Sequence, residues 1–292
     1  MGSTGIDSLP SFSPGFKELS APQGSERRHL TRINNHTMYL EILDGKLHRA
    51  PISDDPQMWY RHLGDVKSSV LFLCSRPHDL FKDFADKYPS AEVIGIDLSP
   101  IQPATVPPNC RFVVDDINEQ WQYPDNKFDL IHIRAMAGSV PDWVVFHKIA
   151  LRHLKPDGFV EQVELSGQAM SDDGTLPQDS ALVQWWELFK AMGQKMGNTF
   201  AAGEVACESI NAAGFIHIHK EKIKVPIGPW AKDKKLKEWG YWNLCFLLDG
   251  FDGFALRGMT TVLGWPIEKV QLYLAQLRKE LKDPTIHSYL YL

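Results

Sequence analysis

The stretch that most constrains this chain runs from Ser69 to Pro100, SVLFLCSRPHDLFKDFADKYPSAEVIGIDLSP. Val70 to Leu73 is a short apolar run of the kind carried by a strand buried on both faces. Leu80, Phe81, Phe84 and Ala85 recur at helical spacing, with Lys82, Asp83, Asp86 and Lys87 opposite them. Pro89 and Ser90 break that helix, and Val93 to Ile96 forms a second apolar strand ending in Asp97. This is a βαβ unit with a carboxylate at the tip of its second strand. Nucleoside-binding sheets place an acceptor for ribose hydroxyls there. The first turn departs from the pattern. Nucleotide-binding units put glycines in it because the ligand approaches the bare backbone. Here it reads Cys74-Ser75-Arg76-Pro77-His78, with no glycine.

The chain continues in the same alternation. Cys110 to Val114 reads as a third strand, followed by Asp115-Asp116, and Phe128 to Ile133 as a fourth, ending at Arg134. Pro141 to Leu154 is helical, Lys155-Pro156-Asp157-Gly158 is a tight turn, and Phe159 to Leu165 is a fifth strand. Strands alternating with helices at this spacing predict an α/β fold, a parallel sheet wrapped by helices. Beyond it, helices are predicted over Leu176–Gly197, Glu204–Ala213 with Gly214 as C-cap, Leu236–Leu248, and Pro266–Lys282 with the proline in its first turn. Phe215 to Val225 alternates as a strand should, and Ile286 to Leu292 is a short last strand. Residues 1–24 read as a flexible tail, a helix is expected from Ser25, and Met58 to Val66 is a linking helix or loop. The rest, 25–292, reads as one domain: a core at 65–165, then 166–292 as insertions roofing the C-terminal edge of the sheet plus the last strands.

Charge and cysteine usage narrow the function. The net charge is −5 and there is no long basic run, which argues against a nucleic-acid partner; the basic segment Lys232 to Lys237 suits a solvated helix face. No apolar run reaches the roughly 18 residues of a membrane span, and the N-terminus has no signal-peptide core. Cys74, Cys110, Cys207 and Cys245 form no CxxC, as expected of reduced thiols, and the His/Cys spacing supports no metal site. The expected compartment is cytoplasmic or nuclear.

The segments LDGKLHRAPI, FADKYPSAEVIGIDLSPIQP, VPPNCRF, FDLIHIRAMAGSVPDW, LRHLKPDGF, DDGTLP, VPIGPW, VLGW and LRKELKD resemble the fungal LaeA-like branch of the class I S-adenosylmethionine (SAM)-dependent methyltransferases. The resemblance covers about Glu26 to His287. It implies a Rossmann-like, seven-stranded, mostly parallel sheet with helices on both faces, a reversed last strand and a helical, aromatic-rich roof. It also implies a role in fungal secondary metabolism or its regulation. The family's SAM motif, Asp followed by three alternating glycines, falls here on Phe72, Cys74, Arg76 and His78. The carboxylate and all three glycines are replaced, and Pro77 removes an N–H donor. Asp97, for ribose hydroxyls, Asp115 and Asp116, beside the adenine, and Arg134, lining the cleft, remain as a remnant cofactor set.

Each candidate has a plainer reading. Asp97 also suits a turn cap, and Asp115 and Asp116 a loop cap. Glu161 and Glu164, buried near the cleft, would gain a raised pKa and serve as acid or base, or simply accept a structural hydrogen bond. His132 suits a core histidine with satisfied hydrogen bonds. Tyr39, Met136, Trp185, Trp186, Trp242 and Phe246 either line an apolar substrate chamber or pack a core. Three functions follow. In the first, a methyltransferase fold that no longer methylates, needing no cofactor, cyclises an apolar polyketide or terpenoid precursor in a Diels–Alder-type reaction; Arg76, His78, His132 and Glu164 are its candidate catalytic groups. In the second, the chain is an active SAM-dependent methyltransferase. In the third, it is a non-catalytic pseudo-methyltransferase bound to a regulatory partner. Homo- or hetero-oligomerisation stays open.

Overall fold

A computed structural model describes residues 36–52, 68–74, 78–98 and 105–292; of His78 and Phe254 it describes the backbone alone. The helix expected from Ser25 is described from its later part, α1, residues 36–42. The linking segment Met58 to Val66 lies outside the described residues.

The βαβ unit forms as expected: β1 is Ser69–Cys74, α2 His78–Lys87 and β2 Glu92–Asp97. β3 (Cys110–Val114), β4 (Phe128–Arg134), α3 (Trp143–His153) and β5 (Leu154–Val163) follow. The five strands are parallel in the order β3-β2-β1-β4-β5. The Lys155–Gly158 turn lies within β5 as an irregularity, where the register jumps between Phe128 and Leu130 and Asp157 takes φ 64°. Asp142 caps α3 by accepting the N–H groups of Val144 and Val145. Alternation along the strands divides two cores. Val70, Phe72 and Val93 pack with Leu80, Phe81 and Phe84 of α2. Leu71, Leu73, Ile131 and Ile133 pack on the other face with Trp143, Phe146 and Ala150 of α3.

After β5 come α4 (Ala181–Met196), α5 (Ala202–Ala213), β6 (Lys224–Pro226), α6 (Lys234–Arg257), a π-helical turn (Gly258–Val262), α7 (Ile267–Leu281) and β7 (Tyr289–Tyr291). Gly214 caps α5 in the left-handed conformation at φ 106°, as expected. Pro266 is the N-cap of α7, one position before its first turn.

Three expectations are corrected. Among the described residues the sheet has five strands, not seven: β6 and β7 form their own antiparallel ribbon, and the outer side of β7 bridges to Met170 beyond β5. Phe215 to Val225 is a strand only over its last residues. Its alternating side chains find no sheet face to bury; Ile216 is 78% exposed and His217 sits at φ 55°. The helix at Leu236–Leu248 also runs longer than its aromatic pattern, to Arg257.

Candidate functional site: a crevice at the strand ends

Strand order reverses between β1 and β4, which is where open α/β sheets bind ligands, outside the carboxyl ends of the strands. Cys74 and Arg134 are register partners there. α1 lays the ring of Tyr39 over the Arg134 guanidinium, 4.5 Å from centroid to carbon. Tyr39, Cys74 and Arg134 are 1%, 4% and 3% exposed, so these side chains form a closed floor to the crevice. Burial raises the Tyr39 hydroxyl pKa and pushes the Cys74 thiol up to about 12, so both stay protonated near neutrality.

Glu164 directly follows β5. Ala135 leaves β4 at φ 55°, and the next residue, Met136, donates its N–H to Glu164 Oε1 at 3.0 Å. Burial outweighs that bond and pushes the carboxyl up to about 7. Glu164 Oε2 and Arg134 Nη2 are buried without a hydrogen-bond partner among the described residues. Leaving such an atom unpaired costs about 1–3 kcal/mol, so two of them at the ends of the neighbouring strands β4 and β5 mark a place for polar ligand groups or water.

A second polar cluster lies lower in the sheet. His132 and Glu161 are register partners 3.6 Å apart, nitrogen to oxygen. Burial lowers the His132 pKa well below its usual range and raises that of Glu161, so the imidazole is neutral and the contact is no ion pair near neutrality. Glu161 Oε2 accepts the N–H groups of Arg49 (2.8 Å) and Ala50 (2.5 Å), tying the segment after α1 to β5. His48 beside it bonds the Tyr88 hydroxyl at 2.9 Å. His132 is a core histidine, as expected, but not a satisfied one: neither ring nitrogen makes a hydrogen bond among the described residues, the Glu161 oxygen at 3.6 Å being too far. It lies two residues below the strand end, beside Phe72 at 5.3 Å between rings, and not in the crevice.

The other sequence candidates divide. Arg76 lies outside the described residues, and His78 is placed by its backbone as the first residue of α2. Asp97 ends β2 half-exposed, and the Asp115 N–H donates to its carbonyl. Asp115 and Asp116 serve their own turn: Asp115 accepts the Asp116 N–H, and Asp116 accepts the Asn118 N–H. Tyr39, Trp242 and Phe246 come together, the latter two half-buried around Tyr39 and Trp239. Trp185 and Trp186 do not join them. They are core, 6% exposed each, with Trp185 edge-on to Phe251 at 4.3 Å. The Met136 side chain packs in the opposite core with α3. Sequence reasoning passed over Gly138 and Phe200. Gly138, at φ 78°, lets the Phe200 ring lie on its backbone, where an added Cβ would come within 2.3 Å of the ring. A glycine four residues past a strand end was the only signal.

A groove of about 1410 Å³ runs along the outer edge of β5 between that strand, α5 and residues 215–223. It reaches Glu164 but not Tyr39 or Arg134.

The SAM cofactor that the resemblance implies can be set against these residues. The half-exposed Asp97 at the tip of β2 suits ribose hydroxyls. The amino-acid end does not fit, because the Tyr39–Arg134 stack occupies the β1/β4 crevice where it would pass. Phe72, in the motif's carboxylate position, is wholly buried between Phe81 and Phe84 at 5.1 and 5.0 Å.

Comparison with known proteins agrees with the fold. A methyltransferase-domain family model matches residues 47–257. The chain is 32% identical over 288 residues to the methyltransferase pytC of Aspergillus terreus, covering 94% of this chain and 82% of that protein. It is 33% identical over 257 residues to the secondary metabolism regulator LAE1 of Cochliobolus heterostrophus, covering 87% and 81%. Among solved structures, the [4+2]-cyclase SpnF aligns at a TM-score of 0.45 and 15% identity, over 91% of this chain and 93% of that one. The five-stranded parallel sheet, the matched domain and these relatives together make the chain a member of the fungal LaeA-like methyltransferase family.

Proposed function

We propose that this methyltransferase-fold protein acts in fungal secondary metabolism as a cofactor-independent cyclase. It holds an apolar precursor in its reactive conformer over the strand ends. The observation that carries this reading is the crevice: Tyr39 stacks on Arg134 where a cofactor's amino-acid end would pass, while Arg134 Nη2 remains a buried, unpartnered donor. A donor of that kind, aimed at a carbonyl conjugated to the reacting alkene, lowers the barrier of a cycloaddition. One such bond supplies about 3 kcal/mol. Folding the chain into a near-attack geometry supplies the rest. Glu164, protonated in part near neutrality, is a second donor at the end of the neighbouring strand. Trp242 and Phe246, half-buried around Tyr39, give an apolar precursor a wall.

Purified protein incubated with linear polyene precursors, with and without SAM, tests this. The expected result is cyclisation faster than in buffer and indifferent to SAM, reduced at least tenfold in Arg134→Met. No acceleration with any precursor overturns the reading. Transfer of a labelled methyl group from SAM would instead establish the second reading, an active methyltransferase, which the exposure of Asp97 and the 32% identity to pytC favour.

A further inference from the structure

A separate pocket of about 520 Å³ lies between α4 and the π-helical turn. Phe189, Met192, Met196 and Phe200 form one wall and Val262 the other. That volume is within the usual range for small-molecule sites, about 300–1,000 Å³. The walls present almost no polar atoms. The hydroxyls of Thr260 and Thr261 turn back onto the Leu256 and Arg257 carbonyls, at 2.6 and 2.5 Å, so the π turn consumes its own polar groups. Gly258 lets that turn close on Met192, whose sulfur would lie 2.5 Å from an added Cβ. π turns of this kind recur at functional sites, and unbranched methionines adapt to differently shaped apolar chains.

The rim is cationic. Arg257 is exposed and borders the pocket, and its guanidinium pairs with no carboxylate among the described residues. The Lys195 ammonium reaches the Val262 carbonyl at 3.3 Å on the same turn. Among the described residues, no acidic side chain lines the pocket. Phe200 links it to the crevice, with its ring lying against Gly138, two residues beyond the Met136 N–H that holds Glu164.

We infer that this pocket binds the apolar chain of a carboxylate ligand, with the tail among the methionines and phenylalanines and the carboxylate at Arg257. Apolar walls bury the chain, and the unpaired guanidinium supplies a fork that fits a carboxylate. The inference stands apart from the cyclase reading, because it concerns binding and needs no turnover.

Calorimetric titration of the full chain with decanoate, and with decylamine as the cationic control, tests it below the micellar range. Decanoate is expected to bind one to one and saturably, at least tenfold tighter than decylamine. Gly253→Leu places a side chain at the pocket from a helical position where an added Cβ meets nothing within 4 Å. It is expected to weaken decanoate at least tenfold without lowering the melting temperature, since leucine is a better helix former than glycine. Met196→Glu, at a residue 47% exposed, is expected to reverse the preference between the two probes, and Arg257→Gln to abolish it. Unsaturable binding, equal affinity for both probes, or decanoate binding unaffected by Gly253→Leu and Met196→Glu would overturn the inference.

Discussion

Glu164 offers the sharpest test of the crevice. Its carboxyl titrates at about 7 in the fold against 4.5 for the ordinary group, because burial outweighs the hydrogen bond from Met136. The folded chain therefore holds more protons than the unfolded chain across that window. Stability is highest below the unfolded value and falls as pH rises through the folded one. The full difference is about 3 kcal/mol, some two powers of ten in the folding constant. Glu164→Gln keeps an acceptor for the Met136 N–H and removes the titration. Its absolute stability is a poor readout, since the amide introduces a new buried donor. The stability gap between variant and wild type is the quantity to follow, by urea unfolding from about pH 4.5 to about pH 8. His147, which burial pushes down to about 4, and His132, also lowered, oppose Glu164, because they add stability as pH rises toward the usual histidine value. Both are present in the two proteins and cancel in the gap. The gap should move by about 3 kcal/mol in favour of the variant as pH rises. A gap that does not change with pH would refute a buried carboxyl titrating near neutrality, and with it the role of Glu164 as a donor.

Other outcomes follow from the same geometry. Tyr39→Ala, which empties a fully buried ring site over Arg134, should cost about 3–5 kcal/mol in urea unfolding. SAM up to millimolar concentration should leave the wild-type melting temperature unmoved, whereas a ligand at about 100 times its dissociation constant raises it by several degrees. Gly138→Ala forces a Cβ to within 2.3 Å of the Phe200 ring at φ 78° and should destabilise by about 1–3 kcal/mol, with part of the loss recovered when Phe200→Ala is added. Asp142→Ala removes the acceptor of two N–H groups at the start of α3, at 2.8 and 3.0 Å, and should cost about 1 kcal/mol in the same assay.

Periodicity alone determined β1 to β5, α2, α3 and the Gly214 cap. Each rests on a local pattern, an apolar run or helical spacing ended by a breaker, that means the same thing in any context. It also placed Asp97 and Arg134 at strand tips. What lies next to what was decided only by packing between distant segments. Phe215 to Val225 alternates like a strand, yet a strand needs a neighbouring edge, and Tyr289–Tyr291 supplied one only to Lys224–Pro226. Trp185 and Trp242 look alike as helical aromatics. The first is enclosed by α4, α6 and α7, whereas the second stays half-buried beside Tyr39. Glu164 reads as a strand-end acid, but its pKa is set by the water that its neighbours exclude. The Tyr39–Arg134 stack joins residues 95 positions apart in the chain. Local pattern carries no information on such a contact, because the free energy that selects it is the burial of both partners at once.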